Sequence, residues 1–396
     1  MKELFSKEEI QLINLLRAAV GKENKTKEWN TDNKDADSVL GMAKRHAVLS
    51  LMYDVVQENR LFPDKQQYIE KETKQIILQS YRLLFLTKYV VDILSQQGIR
   101  VVVLKGVATA SFYPIPELRK SGDIDLLILD KKDLDKLEKV MTDAGFEISK
   151  EQHANHHKVF ITQEGINIEL HSMLAEPFAD KRINRAIQQQ MEECSGHIMV
   201  TDVIGIELPM LDKPYHAYEL LLHMLQHFMY AGFGLKLLCD WIMIWRQNWT
   251  GEEKEIFVRL VKACGLESFA EALTAVCIKY LDMSSDTFAW RVDENDMTDI
   301  MLRELLDSEE FGGSDKNRMV MMSGTGVTAY IREFHHQMHL NFPKAGKCFL
   351  LWPVLWVITL VKFLRNNKKV RNTSTKEVLR EAKRRSFLMK QLRLFC

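Results

Sequence analysis

Asp123 and Asp125 stand two residues apart in GDIDLLIL, and Glu169 and His171 stand two residues apart in INIELHS. Both stretches are short and rich in apolar and β-branched residues, which predicts strands. Alternate side chains of a strand share a face. Asp123 and Asp125 therefore point one way, away from Ile124, Leu126 and Ile128, and Asn167, Glu169 and His171 point one way on their own strand. Aspartate is disfavoured inside strands, and two carboxylates on one face repel. Burial would raise a pKa or carry a large penalty unless a cation lay between them. Carboxylate oxygens are the ligands Mg²⁺ takes. Three acids converging on one or two such ions would make a site for in-line displacement at phosphorus. The metal would neutralise phosphate charge and help to deprotonate the attacking group.

A second feature precedes the acids. IRVVVLKG predicts a buried strand ending at Lys105-Gly106. Glycine there lets backbone approach a phosphate, and a following helix start would offer free N–H groups and a positive dipole. Arg119 and Lys120, just before the acids, could take further phosphate charge.

Other motifs carry less. His223 and His227 in HMLQH are four residues apart and share a helix face, but the motif lacks the glutamate of a zinc-protease helix. They read as hydrogen-bonded histidines or as one wall of an acceptor pocket, with Lys236 and Asp240 one turn apart on the next helix. His153, His156 and His157 read as loop histidines. Gly324-Thr325-Gly326-Val327-Thr328-Ala329 spells G-x-G-x-x-A without the strand before it or the acid about 20 residues after it that a dinucleotide site needs.

The elements that must position these residues form an α+β pattern. Residues 1–97 are helix-patterned, with Leu12, Leu15, Leu16 and Val20 at helical spacing and a long periodic stretch, 66–97, stopped by Gly98. Residues 98–205 form a small α/β core: two strands, an amphipathic helix over 131–144, and a hairpin turning at Glu164-Gly165. After about 206 the pattern returns to helices up to 345, and 346–396 hold an apolar helix and a basic tail.

The chain has 396 residues, 46% hydrophobic and 27% charged, with 54 basic and 54 acidic residues. This balance excludes a protein that coats nucleic acid through overall charge. Six cysteines show no CxxC pair, which argues against a disulfide framework and fits a reducing compartment, read here as the cytoplasm. MKELFSKEEIQLINLL shows no signal-peptide pattern. The longest apolar run, FLLWPVLWVITLV over 349–361, makes about 20 Å of helix against a bilayer core of about 30 Å. It is too short to span, Pro353 interrupts it, and it reads as a buried or interfacial helix. Residues 362–396 hold twelve Lys and Arg against two Glu, a net of +10, so the remainder sums to −10. Such a tail fits an anionic membrane face, where each near-surface cation contributes about 1 kcal/mol, a nucleic acid, or a solvated helix packed on the acidic body.

LKG, sixteen residues, Asp123, then GDIDLLI and IELH resemble the nucleotidyltransferase superfamily that includes DNA polymerase beta and the kanamycin nucleotidyltransferases. More closely, Leu104-Lys105-Gly106, Arg119, Gly122-DID-LLI and the ELH of 169–171 resemble a bacterial family of uncharacterised nucleotidyltransferase-like proteins. HMLQH, GFGLKLLCDW and the later Phe342-Pro343 with LLWP extend the likeness over about 25–365. Val107 departs from the superfamily pattern, in which a second Gly or a Ser is usual.

The resemblance implies a mixed-sheet nucleotidyltransferase core flanked by N- and C-terminal helical segments. Asp123 and Asp125 would hold Mg²⁺ or Mn²⁺, with Glu169 completing the metal site or acting as base on an acceptor hydroxyl. Lys105, Gly106, Arg119 and Gly122 would bind a nucleoside triphosphate. His171, His223, His227, Lys236 and Asp240 would line the acceptor pocket. The expected reaction moves a nucleoside monophosphate to a hydroxyl of a small molecule, sugar or protein and releases pyrophosphate. The alternatives are a non-catalytic nucleotide-binding or membrane-recruited scaffold on the same fold, with peripheral contact at the inner membrane face through 346–396, and an RNA-directed enzyme, for which no strong nucleic-acid signal is seen.

Overall fold

In a computed structural model of the protein, residues 4–21, 35–149, 157–178, 180–230, 232–293, 295–308, 327–342, 345–369, 388 and 390–392 are described. Among the described residues four helices come first, α1 (Lys7–Val20), α2 (Ala36–Arg45), α3 (Tyr53–Glu58) and α4 (Gln66–Gln96). Ser6 and Glu9 close a reciprocal capping box on α1. Gly98, at φ +71°, ends α4 as the sequence predicts, its N–H bonding the Ser95 carbonyl. The sheet region follows as β1 (Val101–Leu104), α5 (Gly106–Ala110), β2 (Ile124–Ile128), α6 (Leu134–Asp143), β3 (Glu147–Ile148), β4 (His157–Ile161), β5 (Asn167–His171), α7 (Lys181–Cys194), β6 (Ile198–Val203) and β7 (Ile206–Leu211). Seven helices follow among the described residues: α8 (Lys213–Tyr230), α9 (Leu235–Trp245), α10 (Gly251–Cys264), α11 (Glu267–Leu281), α12 (Asp296–Ser308), α13 (Val327–Asn341) and α14 (Trp352–Lys369).

The seven strands form one mixed sheet in the order β3-β4-β5-β2-β1-β7-β6. β1 runs antiparallel to β2 and parallel to β7, while β2 runs parallel to β5. The hairpin expected at Glu164-Gly165 is present as β4 and β5, with Gly165 at φ +81°. The sheet also goes further than the sequence indicates. The β6–β7 hairpin crosses residue 205, and β7 pairs with β1 where helix was expected to resume. Pro209 inside β7 masks the strand, because proline removes a ladder donor and is rare in interior strands.

Strand alternation divides the interior. Val101, Val103, Ile124, Leu126, Ile128, Ile168 and Leu170 face a core closed by α4 and α6. Val102, Leu104, Leu127 and Leu211 face the larger core built with the flanking helices. Asp125 alternates with the first set, so its carboxylate belongs to the helical side of the sheet. Pro353 corrects its expected role. It sits in the first turn of α14, where its missing N–H has no partner to lose, and it starts the helix instead of interrupting it. The described cysteines are free. His153 and His156, and residues 324–326 of the discounted glycine motif, lie outside the described residues; His157 lies on β4.

Candidate active site

β1 ends in a forced turn. Lys105 has φ +44° and ψ −147°, and Gly106 has φ +34°. Positive φ in a non-glycine residue carries strain of roughly 1–3 kcal/mol, held by the surrounding structure. A Cβ on Gly106 would stand 3.3 Å from the Asp123 carbonyl oxygen, so the turn needs glycine for space as well as for backbone freedom. α5 has only five residues, so the dipole expected at its start is small.

The same turn aims Lys105 across the sheet. Its Nζ lies 3.0 Å from Asp125 Oδ1. β2 and β5 run parallel in a register that sets Asp125 opposite Glu169 and Leu127 opposite His171. His171 Nε2 lies 2.7 Å from Asp125 Oδ1 and 3.6 Å from Glu169 Oε2. One ligand atom from each of Asp125, Glu169 and His171 falls within 4.8 Å of the others, the one such group among the described residues.

Electrostatics separate the acids. Burial pushes the Asp125 carboxyl up, but the Lys105 ammonium and the His171 hydrogen bond outweigh it, so the group stays well below the usual carboxylate range. Glu169 moves the other way, to about 7, because burial and then the Asp125 charge disfavour its ionised form. Asp123, just ahead of β2, is raised by burial and by Asp125, and is drawn down in part by Lys105, Lys236 and Arg119. Its charge acts on the pair, although it stands outside the three-ligand group.

Arg119 and Asp240 take places different from those expected. Both are buried, and Arg119 grips Asp240 through Nε and Nη2 at 2.7 Å each. Its Nη1 donates to the Gly106 carbonyl at 3.1 Å and to Ser121 Oγ at 2.7 Å. Tyr113 donates its hydroxyl to Asp240 Oδ1 at 2.7 Å. The two residues clamp α9 to the Gly106 turn and to the segment entering β2. Gly122 lies exposed in that segment.

α8 covers the acids with residues spaced by four: Glu219, His223 and His227. The two imidazoles meet edge to face with ring centres 4.4 Å apart. Burial, then the Lys105 charge, holds His223 well below its ordinary value, and the same causes bring His227 to about 4. Lys236 on α9 acts on both histidines and on Asp123, so the structure brings Lys236, His223, His227 and His171 to the acids, while Asp240 is held by Arg119 and Tyr113. Glu219 was missed. It is buried, its Oε1 has no hydrogen-bond partner, and burial raises it to about 8 against the pull of Lys105. An acid inside the apolar run YELLLHMLQH, one turn before His223, was the signal that could have found it.

The donor set suits a divalent cation. Two carboxylates and one imidazole fit Mn²⁺ as well as Mg²⁺, and the raised Glu169 marks a place where a positive charge would relieve repulsion.

The model of the family described as uncharacterised nucleotidyltransferase matches residues 32–282. No curated protein matches the chain. Among solved structures, an antigenic nucleotidyltransferase-like protein from Paracoccidioides brasiliensis is similar at 16% identity and a TM-score of 0.31, covering 48% of this chain and 92% of that one. The lincosamide antibiotic adenylyltransferase LnuA, lincomycin-bound, is similar at 15% identity and a TM-score of 0.28, covering 39% and 92%. The matched residues take in β1, the Lys105-Gly106 turn, both acid-bearing strands and the α8 and α9 walls, and on that match the chain belongs to the uncharacterised nucleotidyltransferase family.

Proposed function

We propose that the protein is a divalent-metal-dependent nucleotidyltransferase that moves a nucleoside monophosphate from a nucleoside triphosphate to an acceptor hydroxyl. The observation that carries this reading is the cross-strand pairing of Asp125 with Glu169 in a buried site beside Lys105. Asp125, Glu169 and His171 would hold the cation, with Asp123 at the rim. When bound, the ion would neutralise triphosphate charge and lower the barrier to attack at the α-phosphorus.

The chain's own groups supply the rest. The acceptor oxygen forms a bond to the α-phosphorus, the bond from that phosphorus to the bridging oxygen breaks, and pyrophosphate leaves with the electron pair. Glu169 either completes the metal site or, left free of the ion, takes the hydroxyl proton. Lys105 holds Asp125 ionised and in place, and glycine at 106 lets the turn pass close to the Asp123 carbonyl. His171, His223, His227 and Lys236 would form the acceptor wall; the two α8 histidines are neutral at pH 7 and so offer hydrogen bonds without charge. Gly122 would lie along the nucleotide.

Protein incubated with α-labelled nucleoside triphosphates, Mg²⁺ or Mn²⁺ and candidate hydroxyl compounds should release pyrophosphate. Asp125→Asn and Glu169→Gln should each lose on the order of a hundredfold or more. Equal turnover in both variants would remove the assignment of these acids.

A further inference from the structure

α14 is apolar on two sides. Its inner side carries Trp352, Leu355, Trp356 and Thr359, and α13 covers it. Trp356 Nε1 donates to His335 Nδ1 at 3.2 Å, His335 packs edge to face on Trp352 with ring centres 4.5 Å apart, and Leu355 and Thr359 are buried. This packing fixes which side of the helix faces away from the protein. That outer side, with the turn leading into it, presents Phe349, Leu350, Val354, Val357, Ile358 and Val361, from 39 to 73% exposed. Positions 350, 354, 357 and 361 form one stripe at helical spacing. A helix apolar all round is ordinarily buried in protein or in lipid. No helix of the described residues is long and apolar enough to cross a membrane.

Charge selects the occupant. The apolar run ends at Val361, and residues 362–396 carry the net +10. Two copies meeting through this face would bring two such segments together and repel. An anionic surface would attract them. An apolar helix stripe followed directly by basic residues is the pattern of a helix lying in the headgroup layer of a charged bilayer.

We infer that α14 docks the protein on an anionic lipid surface, its outer stripe entering the acyl boundary and the net +10 of residues 362–396 favouring anionic headgroups. The nucleotidyl site and this surface share no residue, so the two readings stand or fall independently.

The full-length chain is sedimented with vesicles of phosphatidylcholine alone and of phosphatidylcholine with phosphatidylserine. The protein should pellet with the anionic vesicles, at least tenfold more than with the neutral ones, and less as salt rises. Val354→Asp with Val357→Asp, both exposed positions, should reduce binding at least tenfold. Leu350→Ser with Val361→Ser gives a milder second variant that should reduce it in the same direction. Lys368→Gln, Lys369→Gln, Arg384→Gln and Arg385→Gln together should abolish the preference for phosphatidylserine. The inference is overturned if the wild-type chain stays in the supernatant, if both apolar variants bind as wild type does, or if the same variants instead dissolve a dimer that ignores vesicles.

Discussion

Asp125 and Glu169 are direct neighbours across parallel strands β2 and β5, yet their carboxyl groups are driven to opposite ends of the carboxylate range. Lys105 and His171 favour the charge on Asp125, and Asp125 then opposes the charge on Glu169. One acid is thereby fixed as an anion and the other is left able to exchange a proton near neutrality.

Glu169 should make the metal-free protein sensitive to pH. Its folded pKa of about 7 lies above the ordinary 4.5, so between those values the folded state holds a proton that the unfolded state has lost. Stability from this group is full below pH 4.5 and is lost as pH rises to 7. Glu169→Gln should therefore raise the melting temperature at pH 8 more than at pH 4.5, a comparison that calorimetry at the two pH values makes directly.

Glu219 predicts a second dependence of the same sign, reaching higher. Its pKa of about 8 places its loss of stability between pH 4.5 and 8. His216, bonded to Thr109 in the interior and lowered to about 3, works oppositely: the unfolded state takes up a proton below 6.5 that the folded state refuses, so stability falls with acid. Glu219→Gln should flatten the alkaline limb of a urea-midpoint profile and leave the acid limb in place. An unchanged alkaline limb would contradict the buried placement of this acid.

The Arg119–Asp240 clamp should behave as a unit. Asp240→Ala leaves a buried guanidinium without its counter-charge and should cost about 3–5 kcal/mol. Arg119→Met combined with Asp240→Leu removes both charges and should recover most of that loss. Denaturant titration of the three proteins measures the coupling, and additive effects would show that the two side chains do not act together.

Lys105→Met should destabilise the fold by about 3 kcal/mol, because it strips the cation from a buried carboxylate. Lys105→Arg keeps the charge but must fit a larger head into the same forced turn, and should retain more of the stability. Equilibrium unfolding of both variants ranks them.

The strands and their faces were legible because apolar residues alternate so regularly at 124, 126 and 128 and at 168 and 170. That alternation sets Glu169 with His171 on one face of β5, while Asp123 falls just ahead of β2 and outside its alternation. The register joining Asp125 to Glu169 was not legible, since no turn connects β2 to β5 directly and their alignment is set by the whole sheet. Arg119 and Asp240 lie 121 residues apart, and charge alone does not tell a buried clamp from a phosphate contact. The β6–β7 hairpin escaped because Pro209 sits inside a strand and Ile204-Gly205 make its turn without the usual asparagine or aspartate. Glu219 escaped because a single acid in an apolar helix gives no sign of what it will face.

On the reading proposed above, Asp125 and Glu169 together hold a divalent cation. Titration of the protein with Mn²⁺, followed by the electron paramagnetic resonance of the free ion, tests it without needing an acceptor. The wild-type chain should remove free Mn²⁺ from solution, and Asp125→Asn and Glu169→Gln should each weaken that uptake by at least about tenfold. Uptake of Mn²⁺ at wild-type strength by both variants would contradict the account.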